Sequence, residues 1–288
     1  MSQQAELIAA MTPLIADLAE DGRGAVALAG SRGKGWADAQ SDYDFRVYAE
    51  SYRGPDIRHT EQWQRFEAAR QYWEARGARL DGVWMRSCAG VHRDLAAWFD
   101  GALVPKEFDW TIWGYQLPTD LLNQQIVHDP DGVLAGWKAQ LAVYPEPLRV
   151  AVLRRYRGIL SYWAADYHYA SKVARRDLMF LVGLAGKLAN ALLQVVFALN
   201  RVYFPGDGWN LPMAAELPLL PSNFVSRMEA ILEPGRDPDA WKRQRADIIA
   251  MATDLETLVI SIDHQDDFAG PEEGRNNQSD RLKTDFQP

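Results

Sequence analysis

Gly30-Ser31-Arg32-Gly33-Lys34-Gly35-Trp36-Ala37-Asp38-Ala39-Gln40-Ser41-Asp42-Tyr43-Asp44-Phe45-Arg46-Val47-Tyr48 is the stretch around which the 288-residue chain is organised. Just before it, Ala25-Val26-Ala27-Leu28-Ala29 is a short apolar run that reads as a buried strand. The glycines mark a tight loop, and Phe45-Arg46-Val47-Tyr48 restarts a strand rich in aromatic and β-branched residues. Residues two apart on a strand share a face, separated by about 6.6 Å. Asp42 and Asp44 are therefore expected side by side, with Tyr43 turned away. Two carboxylates so placed repel each other unless a cation lies between them, and hard oxygen ligands suit Mg²⁺. Two such ions about 3.5–4 Å apart serve in-line displacement at phosphorus. The Gly30-Ser31 turn offers close backbone approach, N–H donors and a hydroxyl to oxyanions, with Arg32 and Lys34 nearby. The competing reading is a surface turn carrying two solvated aspartates.

Gly-Ser, a spacer of about ten residues, then Ser41-Asp42-x-Asp44 and an apolar strand resembles the nucleotidyltransferase superfamily typified by DNA polymerase beta. Within it, the small bacterial branch of aminoglycoside and lincosamide nucleotidyltransferases is the nearest likeness. The resemblance is carried by residues 25–48, extends more loosely to about residue 132, and is vague beyond. It implies an α/β (α+β) domain with a mixed sheet over 1–143, followed by an all-α helical bundle over 144–264. The implied activity moves a nucleoside monophosphate, AMP from ATP or the matching monophosphate from another nucleoside triphosphate, onto a hydroxyl of a small, aminoglycoside-like acceptor, releasing pyrophosphate. By the same resemblance Asp42 and Asp44 hold two Mg²⁺, Gly30 and Ser31 grip the β- and γ-phosphates, and Arg32 and Lys34 neutralise them. Two other classes stay open. One is a protein-modifying, antitoxin-like enzyme, although such proteins are usually minimal domains without an added helical half. The other is a non-catalytic nucleotide-binding or interaction protein of the same fold.

The family usually supplies a third carboxylate from a neighbouring strand. Asp81, in the strand candidate Ala78–Met85, stands one strand, one helix and one turn after Asp44, so it would ligate metal or take the proton of an attacking hydroxyl. It is equally well a strand-edge aspartate before Gly82. Glu107 and Asp109 are rivals, in a partly alternating segment, Lys106–Gly114, that reads as a further strand. Ile126-Val127-His128-Asp129-Pro130-Asp131-Gly132 is a short strand stopped by turn residues, and its role is structural.

From about residue 146 the composition turns helical, with a boundary near Tyr144-Pro145-Glu146-Pro147. One helical pattern runs 147–172. A second, Leu178 to Asn200, is apolar enough to suggest a membrane span, but Lys187, Asn190 and Gln194 interrupt it, and a central bundle helix is expected. Lys187 in that run should escape to an edge or meet an anion. In the aminoglycoside enzymes a helical-domain lysine reaches the triphosphate, which the resemblance carries to Lys187; pairing with a structural carboxylate is the alternative. The family pattern also tends to have a lysine before the tryptophan of the next turn, where this chain has Gly208 before Trp209. Two further helices fit 222–232 and 238–262, and the polar tail 265–288 is expected to be mobile and outside the core.

A net charge of −8 argues against a nucleic-acid partner. It suits a cationic or neutral small substrate, though acidity is also a common route to solubility. The single cysteine, Cys88, allows no internal disulfide, and the N-terminus has no signal-peptide pattern, so a cytoplasmic location is expected, without membrane attachment. Gly22-x-Gly24 precedes a strand rather than following one, which excludes a dinucleotide fingerprint, and no phosphate-binding P-loop motif occurs. The five histidines lack ligand spacing for zinc.

Overall fold

All four side chains of β1 (Ala25–Leu28) are buried, because the strand runs through the middle of a mixed sheet ordered β3-β2-β1-β4. The computed structural model describes residues 2–268 except 55, 103, 104 and 238, and the backbone alone for 263–268. β2 (Tyr43–Ala49) runs antiparallel to β1 and parallel to β3 (Leu80–Ser87), while β4 (Gln125–His128) runs antiparallel to β1 on its other side.

Strand alternation sorts the side chains of this sheet. Val26, Leu28, Tyr43, Phe45, Val47 and Leu80 form one core with α1 (Gln3–Ala16) and α3 (Glu61–Glu74). Ala25, Ala27 and Tyr48 belong to the opposite face, whose core continues through α4 (Cys88–Phe99), α5 (Leu117–Asn123) and α6 (Val133–Leu141) into the helical half. That apolar cluster crosses residue 144 without a break, joining Trp137 and Leu141 to Leu148 and Val152. Between β1 and β2 the chain makes one short helix, α2 (Gly30–Lys34), where the glycines predict only a tight loop. Gly33 explains it: a Cβ there would lie 2.4 Å from the Leu28 carbonyl oxygen, so glycine lets the turn close onto the strand it leaves.

The helical half holds α7 (Glu146–Ala165), α8 (Tyr167–Arg175), α9 (Leu178–Leu199), α10 (Asn210–Ala215), α11 (Phe224–Leu232) and α12 (Ala240–Phe268). The single pattern over 147–172 is two helices, because the Asp166 carboxylate accepts the N–H groups of His168 and Tyr169 and caps a new start. α9 is, among the described residues, the one helix long and apolar enough to cross a membrane. It is instead packed against α7, α11 and α12, with an unbroken buried run from Ala191 to Leu199. α12 continues to Phe268, so the first residues assigned to the tail are helical, and the rest of the tail lies outside the described residues.

Lys106–Gly114 is not a strand. It is a loop with one bridge, between Lys106 and Tyr115. The N–H groups of Ile112 and Trp113 are taken by the Asp207 carboxylate, and the Thr111 hydroxyl closes a turn onto Phe108. Phe108, Trp110 and Tyr115 then pack with Trp84 of β3.

Candidate active site

Asp42 and Asp44 share a face at the start of β2, and β3 brings Asp81 to them. The β2–β3 register slips between the pairs Tyr43–Leu80 and Phe45–Val83, so β3 carries one extra residue there. Gly82, at φ +93° in open space, absorbs it. One oxygen from each of Asp42, Asp44 and Asp81 lies within 4.8 Å of the other two. Such a triad of hard oxygen donors fits a divalent cation. Glu107 and Asp109 sit exposed on the 105–114 loop and do not join it.

Asp44 is the enclosed member, its side chain 18% exposed. Burial pushes its carboxyl up to about 6, with Asp42, Asp81 and Asp120 adding to the rise and Arg46 opposing it. Gly30 stands against it at φ +61°, and a Cβ there would fall 1.9 Å from Asp44 Oδ2. Any side chain at position 30 would displace the carboxylate, so the glycine is needed for both its backbone angle and its missing atoms. The Ala29 N–H, donated to the Asp44 carbonyl at 2.7 Å, ties the turn to the strand.

The basic residues of the turn divide in role. Arg32 donates from Nε to the Asp42 carbonyl at 2.8 Å, from Nη2 to the Ser41 carbonyl at 2.6 Å and from Nη1 to Gln4 at 3.3 Å, and it stacks on Tyr43. Through these contacts its guanidinium braces the loop. Lys34 is different. Burial lowers its ammonium's pKa, with Asp120 pulling the other way, and it makes no ion pair among the described residues. Ser31 is half-buried at the start of α2. Lys187 is exposed on α9, about 6.0 Å from the Trp163 ring centre, and makes no ion pair with the three aspartates.

Two charged residues complete the site without having been singled out from the sequence. Arg46 follows Asp44 on the same face of β2. It lies between Asp44, at 3.8 Å, and Asp120 of α5, at 3.6 Å, and over the ring of Trp84. Its Nε is buried without a hydrogen-bond partner. Burial works against its charge, yet the two aspartates hold it protonated. Asp120 also accepts from the Tyr115 hydroxyl and from Gln124 Nε2. The same period-two alternation that pairs Asp42 with Asp44 points to Arg46; Asp120 carries no comparable signal.

Beside α2, Trp36 meets Trp209, ring centres 5.3 Å apart and tilted 46°. Trp209 is half-exposed at φ +56°, a left-handed conformation that is costly for a bulky residue. Asp207, two residues earlier, anchors this loop to Ile112 and Trp113.

The family model described as Domain of unknown function (DUF4037) matches residues 115–210. That span includes Tyr115, Asp120, Lys187 and Trp209 and leaves the three aspartates outside it. No curated protein matches the chain.

Proposed function

We propose that the chain is a Mg²⁺-dependent nucleotidyltransferase that moves a nucleoside monophosphate, AMP from ATP in the first instance, onto a hydroxyl of a small acceptor. The observation that carries this reading is the convergence of three carboxylates against Gly30, at the start of a short helix whose lysine is half-buried and makes no ion pair among the described residues. Asp42, Asp44 and Asp81 would hold the metal, which when bound supplies charge neutralisation and orientation at the reacting phosphate. The enclosed Asp44 carboxyl, whose burial Arg46 offsets only in part, fits that role, since a cation relieves the cost of ionising it.

The chain's own residues supply the rest. The Ser31 hydroxyl and the free N–H groups opening α2 receive the β- and γ-phosphates, and Lys34 neutralises them. Arg32 keeps the loop rigid, and Arg46 holds Asp44 from behind. The acceptor hydroxyl oxygen forms a bond to the α-phosphorus as the bond from that phosphorus to the β-bridging oxygen breaks. Pyrophosphate leaves with that electron pair, and the hydroxyl proton passes to Asp81 or to solvent. Trp36 and Trp209 offer flat apolar surface for a ring of nucleotide or acceptor. In this reading residues 1–143 form the nucleotidyltransferase domain and 144–264 the helical half that binds substrate and nucleotide.

The test is pyrophosphate release from each of the four nucleoside triphosphates, with the product mass measured over a panel of aminoglycoside and lincosamide acceptors. A product heavier than the acceptor by one nucleoside monophosphate, formed only with Mg²⁺ and absent in D42N, supports the reading. Retained activity in D42N or D44N refutes the metal assignment. A labelled protein in place of a labelled small molecule refutes the acceptor class.

A further inference from the structure

At the other end of β3 from Asp81, between that strand, α4 and the 105–117 segment, lies a cavity in two adjoining lobes, each about 230 Å³. Both lobes are lined by Arg86, Arg93, Asp94 and Lys106. One is closed by apolar surface, chiefly Trp98 and Leu117. The other is more polar and reaches Ser87 and Gly90.

Its charges do not balance. The Arg86 guanidinium, 8% exposed, donates from Nη2 to Asp94 Oδ2 at 3.2 Å and from Nη1 to the Tyr115 hydroxyl at 3.1 Å. Lys106 Nζ donates to the same Asp94 oxygen at 2.6 Å. Arg93 makes no ion pair among the described residues, and its Nη2 lies 3.7 Å from where a Gly90 Cβ would stand. Three cations thus face one carboxylate in a chain whose net charge is −8. Two of them share a single oxygen, which leaves donors on each unspent. A cavity wall carrying a buried guanidinium and surplus cations is built to receive an oxyanion, which guanidinium groups hold in forked geometry. The apolar lobe beside it takes a small hydrophobic group. Each lobe by itself lies below the roughly 300–1,000 Å³ of a whole drug-sized site, so each takes a single compact group.

We propose that this cavity is a second anion site, separate from the aspartate cluster, that binds a small phosphate monoester carrying a compact apolar group. The assignment does not depend on nucleotidyl transfer. Arg93 and Lys106 are both exposed, so removing them should leave the fold intact.

The experiment is calorimetric titration of the full chain in EDTA, without nucleotide, using phenyl phosphate, inorganic phosphate and benzoate as probes. Wild type, R93M/K106M and D42N/D44N are compared, with R93M alone held in reserve should the double variant melt early. The expected result is phenyl phosphate binding at least tenfold tighter than inorganic phosphate. That affinity should fall at least tenfold in R93M/K106M (or measurably in R93M) and stay unchanged in D42N/D44N. Benzoate weaker than phenyl phosphate supports the dianion; benzoate equal or better overturns the phosphate assignment. No heat with millimolar phenyl phosphate, full affinity in R93M/K106M, or loss of binding in D42N/D44N overturns the site. A phenyl phosphate affinity no better than that of inorganic phosphate overturns the role of the apolar lobe. A positive outcome with no pyrophosphate release would leave this site standing and the proposed activity refuted.

Discussion

Replacing Asp44 by Asn should stabilise the metal-free protein at neutral and alkaline pH while abolishing metal binding. Asp44 ionises only near pH 6, against an ordinary value of 3.8, chiefly because burial disfavours its charge. Each pH unit corresponds to about 1.4 kcal/mol, so ionising it in the fold costs about 3 kcal/mol more than in the unfolded chain. The sign follows from the raised value. The carboxyl's contribution is fully present below pH 3.8, where it is protonated in both states, and is lost as pH rises through about 6. Asparagine remains neutral throughout and forgoes only the loose 3.8 Å contact with Arg46, so D44N should exceed wild type by about 1–3 kcal/mol at pH 8 in EDTA. The advantage should shrink through pH 6 and vanish near pH 4. Urea denaturation of both proteins across that range reads it directly. With saturating Mg²⁺ at pH 8 the order should reverse, because the wild type gains binding free energy that the variant does not. A D44N protein no more stable than wild type at pH 8 in EDTA would refute the reasoning and make Asp44 a satisfied structural carboxylate.

The same geometry makes other outcomes measurable. G30A must place a methyl 1.9 Å from Asp44 Oδ2 at a positive φ, so its stability should fall by about 2–4 kcal/mol, with Mg²⁺ affinity lost in calorimetry. K34M and R32M should separate recognition from bracing. K34M raises the nucleotide Kd at least tenfold with urea stability equal to or above wild type, since burial disfavours the Lys34 charge, whereas R32M loses about 1–3 kcal/mol of stability with a smaller effect on Kd. K187M, on an exposed face of α9, should change stability by no more than about 0.5 kcal/mol, and a raised nucleotide Kd would bring Lys187 to the triphosphate. Metal affinity itself should climb as pH rises through about 6, as Asp44 ionises.

The parts that could be read from the sequence are those governed by local periodicity. β1 follows from an uninterrupted apolar run, and the shared face of Asp42 and Asp44 follows from the two-residue repeat of a strand. Asp81 could be placed by counting one strand, one helix and a turn to the neighbouring strand, though not the bulge at Gly82 that turns it toward Asp44. What escaped depends on tertiary contacts. Asp120 belongs to a short helix with no distinctive pattern and matters only because the fold seats it against Arg46. Lys106–Gly114 alternates enough to suggest a strand, but a carboxylate from residue 207 captures its N–H groups. Arg32 has the right type and spacing for phosphate, but its bracing of the Ser41 and Asp42 carbonyls depends on how the loop folds back. Lys187 interrupts an apolar run, and α9 turns that position outward while burying its neighbours.

The most direct measurement of the central claim is calorimetric titration of ATP, then GTP, CTP and UTP, with and without Mg²⁺, on wild type and D42N/D44N. Binding of at least one nucleotide that requires Mg²⁺ and disappears in the double variant is the expected result. Nucleotide binding indifferent to Mg²⁺ and to both substitutions, or no binding by the wild type in the presence of acceptor, would contradict it.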